Sequence, residues 1–137
     1  MASTHAGNTS AVLLFDGSCG ICTRIAHWVR AHDPGRRILV LPNQIPGLIE
    51  RHGLTRAAVD RSAWLIEPDG RRFEGAAALN RIARLIGGRW AWAAALYAAP
   101  PVRWAEERVY RWIADHRRRL ARWGVTPECE RPGARCG

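Results

Sequence analysis

The chain contains no lysine: all 21 basic residues are arginine. A Lys-free, Arg- and Ala-rich composition points to compositional bias rather than selection for binding, so the formal charge of +9 does not by itself name a partner. Long apolar runs are missing as well. The first ten residues hold no basic stretch, and the apolar run 11–15 is stopped by Asp16, so a secretory signal of the usual form is not expected here. The nearly uncharged stretch 90–102 contains Pro100 and Pro101 and falls short of the ~20 residues that span a bilayer. The expected location is therefore cytoplasmic. No internal repeat, low-complexity block or nucleic-acid motif is present, and nucleic acid is not an expected partner. What is not scarce is apolar content: 47% excludes a disordered chain.

A length of 137 residues fits one domain with a sizeable core. The expected organisation is a flexible tail over 1–10, a single domain over 11–123 and a second flexible tail over 124–137. Charge divides unevenly within it. Residues 1–70 hold 7 Arg against 6 acids; residues 71–137 hold 14 Arg against 6. Five of the seven Trp lie between Trp90 and Trp123.

The continuous apolar run 11–15 predicts a strand buried on both faces. Asp16-Gly17-Ser18 is a turn, and Ser18 can cap a helix over 19–32 with Cys22, Ile25, Ala26 and Val29 on its apolar side. Residues 37–41 predict a second strand, 45–52 a short helix, and Thr55 a further cap. Residues 62–67 form a third strand, and Pro68-Asp69-Gly70 signals a hairpin into a fourth over 71–74. Helices follow over 76–86, 90–98 and from Pro101 to about Trp123. The last carries an expected apolar stripe of Val102, Ala105, Val109, Trp112, Ile113, Leu120 and Trp123. The order β-α-β-α-β-β-α implies an α/β fold: a small mixed sheet flanked by helices, thioredoxin-like, with an added C-terminal helical extension.

The sharp feature is Asp16-Gly17-Ser18-Cys19-Gly20-Ile21-Cys22. A Cys at a helix N-terminus faces unsatisfied N–H groups and the positive end of the dipole, and both favour the thiolate that attacks disulfides. Cys22 lies one turn on, within reach of Cys19, and can resolve a mixed disulfide. Its place on the apolar stripe predicts that Cys22 is the more buried thiol. Cys19 is thus the candidate nucleophile, Cys22 the resolving thiol, and Asp16 the acceptor of the resolver's proton.

Other chemistries fit less well. Two buried structural cysteines would also satisfy the spacing. A zinc site needs a second pair, and Cys129 and Cys136 are too widely spaced and too remote. A cysteine phosphatase needs five residues between Cys and Arg, whereas four separate Cys19 from Arg24. A phosphotransferase opening on Asp-x-Asp would need a carboxylate where Ser18 stands. No cofactor is expected.

Residues 12–120 resemble the DCC family of thiol-disulfide oxidoreductases, named for one Asp and two Cys. The resemblance rests on V-L-L-F-D-G-S-C-G-I-C, on P-D-G-R-R-F-E-G-A-A-A-L and on Y-R-W-I-A-D-H-R-R-R-L. It implies a thioredoxin-like fold and puts Asp16, Cys19 and Cys22 at the family's named positions. It further implies a disulfide-containing protein or small-molecule thiol as substrate, and a recycling reductant. The chain departs from thioredoxin where a cis-proline is usual before the third strand, since it reads Asp60-Arg61-Ser62-Ala63 there. That departure leaves room for a narrower substrate range, or for metal at the Cys pair.

Two features stand apart from this motif. The Arg/Trp-rich half is either a solvated Arg face with Trp filling the core, or a surface for peripheral membrane contact or an acidic protein. Cys129 and Cys136 are either a second redox pair serving Cys22, or incidental. His27, His32 and His116 read as exposed helical residues.

Overall fold

The computed structural model describes residues 10–96, 99–120, 126–134 and 136. The expected tail over 1–10 lies outside the described residues except for Ser10, as do Trp123 and its stripe position.

Strand β1 (Ala11–Phe15) is buried at every position because it is central. It pairs in parallel with β2 (Ile38–Pro42) and antiparallel with β3 (Trp64–Ile66), which pairs antiparallel with β4 (Arg72–Glu74). The order is β2-β1-β3-β4. This mixed four-stranded sheet is covered on both faces, an α/β arrangement consistent with a thioredoxin-like fold. Alternate residues of β1 divide the core. Leu13 and Phe15 pack on one face with Ala26 and Val29 of α1 (Gly20–Ala31) and Ala78 and Ile82 of α4 (Ala76–Ile86). Val12 and Leu14 pack on the other with Leu48, Ile49 and Val59, from α2 (Leu48–Arg51) and α3 (Arg56–Arg61). A period of two therefore sends neighbouring side chains into opposite layers.

Local chemistry sets the joints. Asp33 is buried after α1, and its carboxylate accepts from the N–H groups of Arg37 (3.1 Å) and Ile38 (2.8 Å), aiming the chain into β2. Thr55 caps α3, its hydroxyl accepting from Ala58 N–H at 3.2 Å. Gly75, at φ +62, turns the chain from β4 into α4, and the Tyr110 ring lies where a side chain there would begin.

The C-terminal extension comprises α5 (Arg89–Ala95) and α6 (Pro100–Leu120). The face of α6 turned inward is rotated from the expected stripe. Val109 and Trp112 are exposed, while Tyr110 and Ala114 are half-buried together with the expected Val102 and Ile113. Two polar anchors set this rotation. Tyr110 Oη accepts from Ala63 N–H at 2.9 Å, and Glu106 accepts from Asn80 Nδ2 at 2.6 Å. In the Arg/Trp-rich half Trp92, Trp104 and Trp112 do not fill the core: they are 80%, 63% and 54% exposed. His27, His32 and His116 are half-buried rather than exposed.

Candidate functional site

The site forms at the C-terminal ends of β1 and β2, where parallel neighbours leave their following loops side by side. The loop after β1 is a tight turn, closed by Cys19 N–H donating to Asp16 O at 3.2 Å. The Asp16 carboxylate organises it further, with Oδ1 accepting from Ser18 N–H at 2.9 Å. This turn delivers Cys19, not Ser18, to the N-cap of α1. The Cys19 backbone is extended, and its Sγ accepts from Cys22 N–H at 3.4 Å. A sulfur held by a helix N-terminal amide is stabilised as the thiolate.

Neither Cys19 nor Cys22 is disulfide-bonded. Their burial reverses the expectation: Cys19 is 7% exposed and Cys22 is half-buried. The helical stripe does face Cys22 inward, but into a cavity of about 50 Å³ rather than into close packing. Asp16 lines the same cavity, together with Ile25, Ala63, Tyr110 and Ile113. That space suits a few waters or one apolar side chain.

Ala63 stands at the backbone position where proline was absent. Among the described residues there is no cis peptide bond. Its N–H is already taken by Tyr110 Oη, and its carbonyl accepts from Gly75 N–H at 3.0 Å. Tyr110 thus closes one side of the Cys22 cavity.

Sequence reasoning missed three residues. Gln44, just past β2, clamps the Cys loop. Its Nε2 donates to Asp16 Oδ1 (2.7 Å) and Ser18 Oγ (3.3 Å), and its Oε1 accepts from Gly17 N–H (3.0 Å). The signal for it was topological, since the residue after a strand parallel to β1 must lie beside β1's own loop. Thr23 and Glu128 were missed for a different reason. The segment 124–137, expected as a flexible tail, carries a short 3-10 turn (Glu128–Glu130) docked on this loop. Cys129 N–H donates to Gly17 O at 2.9 Å and Glu128 N–H to Thr23 Oγ1 at 3.0 Å. The Glu128 carboxylate accepts from both terminal guanidinium nitrogens of Arg30, at 2.6 and 3.2 Å. That hydrogen-bonded pair holds Glu128 below the ordinary carboxylate value despite its burial. Arg131 Nη1 lies 3.1 Å from His27 Nε2. Burial, then the charges of Arg131 and Arg30, lower His27, so the neutral ring accepts from Arg131 in preference to the 3.9 Å ionic contact with Glu128. Cys129 and Cys136 are joined in a disulfide. Among the described residues, no three His, Cys, Asp or Glu side chains form a metal-binding group, and no helix is long and apolar enough to cross a membrane.

No curated protein and no solved structure matches the chain. A family model does, that of the DCC1-like thiol-disulfide oxidoreductases, and it covers residues 13–123, from β1 beyond the end of α6. With the Cys pair opening α1 inside that span, the chain belongs to the DCC1-like thiol-disulfide oxidoreductase family.

Proposed function

We propose that the chain is a disulfide reductase in which Cys19 is the nucleophile and Cys22 the resolving thiol. The observation that carries this is Cys19 at the N-cap of α1, with its sulfur accepting from Cys22 N–H. The Cys19 thiolate attacks one sulfur of a substrate disulfide, forming a mixed disulfide and releasing the other sulfur as a thiolate. Cys22 then loses its proton and attacks Cys19 Sγ. This closes Cys19–Cys22 and frees the second substrate thiolate. Asp16 shares the cavity with Cys22 and takes its proton, directly or through water. A reductant of the dithiol class restores the pair, in a cytoplasmic setting. The substrate is a disulfide-containing protein or a small-molecule disulfide. Occupation of Ala63 N–H by Tyr110 supports a narrow range, because a substrate carbonyl finds that donor already bonded.

The test is turnover with dithiothreitol and a panel of disulfides. Cys19→Ser abolishes it, and Cys22→Ser accumulates a mixed disulfide on Cys19, identified by mass spectrometry. A wild-type pair that never cycles overturns the reading.

A second reading is favoured by the exposed Trp92, Trp104 and Trp112 on α5 and α6, with the Arg108 guanidinium over Trp104 at 5.0 Å. Aromatic rings among arginines suit peripheral contact with an anionic membrane. It predicts binding to anionic vesicles that falls steeply with added salt; binding indifferent to salt overturns it.

A further inference from the structure

The Cys129–Cys136 disulfide is not used by the mechanism above, yet it is docked on the loop that holds Cys19. Gly17 is two residues before Cys19, within the turn closed by the Cys19–Asp16 hydrogen bond. A Cβ on Gly17 would lie 2.5 Å from Cys129 Sγ, so the sulfur fills the space a side chain would need. The tail is fixed there by bonds on both sides of Cys129. Its own N–H bonds Gly17 O, Glu128 bonds Thr23 and Arg30, and Arg131 bonds His27.

We infer that Cys129–Cys136 is an internal disulfide substrate of the Cys19–Cys22 dithiol. This rests on the proposed exchange activity. The Cys19 thiolate attacks Cys129 Sγ, forming Cys19–Cys129; the Cys129–Cys136 bond breaks, and Cys136 leaves as a thiolate and takes a proton. Cys22 then gives up its proton and attacks Cys19 Sγ, closing Cys19–Cys22 and releasing the Cys129 thiolate, which is protonated in turn. Two electrons pass from the N-terminal pair to the C-terminal pair, and no outside oxidant or reductant takes part.

Three physical arguments support it. Tethering replaces a bimolecular encounter with an intramolecular one, worth an effective concentration of about millimolar or more. Gln44 Oε1 lies 3.6 Å from Cys129 Sγ. A disulfide sulfur has no proton to offer it, whereas the released thiol does, so Gln44 favours the product state. In a reducing compartment, moreover, a disulfide on a small domain is usually transient and catalytic rather than structural.

The test uses the full chain carrying Cys22→Ser, with Cys22→Ala as a second variant. Trypsin cleavage after Arg24, Arg122 and Arg135 puts Cys19, Cys129 and Cys136 on separate peptides. After iodoacetamide quenching, the expected product is Cys19 linked to Cys129 with Cys136 alkylated, at a yield independent of protein concentration. In Cys22→Ser/Cys136→Ser, where only Cys19 and Cys129 remain, diamide should join them within the monomer. Persistence of Cys129–Cys136 with alkylated Cys19, no internal link under diamide, and normal capture of 5,5′-dithiobis(2-nitrobenzoate) by Cys19 would overturn the inference and leave the exchange activity standing. Loss of that capture too would overturn both.

Discussion

Replacing Gly17 with alanine tests the docking of the tail directly. The backbone of Gly17 is not in the left-handed region, so only space opposes a side chain there. The added methyl would lie 2.5 Å from Cys129 Sγ, 2.7 Å from Pro42 Cβ and 3.0 Å from Gln44 Oε1. Comfortable carbon contacts sit at ~3.5–4.0 Å, so Cys129 and Pro42 must each yield by about 1 Å. The Gln44 side chain can swing away. Pro42 cannot, because it is registered against Phe15 in the sheet. The tail is therefore the element that lifts. Undocking it loses the Cys129–Gly17 and Glu128–Thr23 hydrogen bonds, about 1 kcal/mol each. It also loses the partly exposed Arg30–Glu128 pair, worth about 0–1 kcal/mol. The expected destabilisation is about 2–3 kcal/mol, inside the ~1–3 kcal/mol typical of overpacking. Urea unfolding of Gly17→Ala, Cys129→Ala/Cys136→Ala and the combined variant measures it. With the sulfur gone, the methyl fits better, and the combined loss falls short of the sum by more than ~0.5 kcal/mol. Additivity within that margin would refute the argument that Gly17 exists to admit Cys129. Cys19 in Gly17→Ala should also alkylate faster than in the wild type.

Tyr110→Phe removes the acceptor of the Ala63 N–H and should cost about 1–3 kcal/mol in urea unfolding without changing the m-value. It should also widen the range of disulfides reduced; an unchanged range would detach Tyr110 from specificity. Thr55→Ala deletes the cap of α3 and should cost about 1 kcal/mol, with turnover unaffected. Tail docking should weaken as pH falls. Glu128 and His27 are both held below their ordinary values of 4.5 and 6.5, so the undocked state binds more protons, and each contribution is full above the ordinary value and lost as pH drops through the lowered one. Amide spectra of Glu128 and Cys129 should move toward the undocked state from about pH 6.5 downward; a shift on raising pH would contradict the sign.

The fold was legible wherever one local signal was strong and uncontested. The limits of β1 and α4 matched expectation because an unbroken apolar run and a glycine-bounded helical period leave little else for 11–15 and 76–86 to do. The strands over 37–41, 62–67 and 71–74 shifted or shortened at their ends, since pairing partners rather than composition decide where a ladder stops. The N-cap of α1 moved by one residue for a similar reason. Ser18 is the better cap by propensity, but its N–H is bound by Asp16, and the turn delivers Cys19 instead. The α6 stripe was met at Val102 and Ile113 but not at Val109 and Trp112, because hydrophobic period ranks positions by apolarity alone. It cannot see that Tyr110 and Glu106 find hydrogen-bond partners on Ala63 and Asn80 and so choose the rotation.

The same reasoning explains what the site added. Asp16, Cys19 and Cys22 sit within seven consecutive residues, so a linear motif finds them. Gln44, Thr23 and Glu128 act through contacts that cross the chain, Thr23 to Glu128 spanning 105 positions, and no local period records such a pairing. The arginine excess reads differently once those contacts are known. Arg30 and Arg131, from the first helix and the tail, hold Cys129 against the Cys19 loop through Glu128 and His27. A charge that looked like a surface property is, at these two positions, what holds the second cysteine pair on the loop that carries the first.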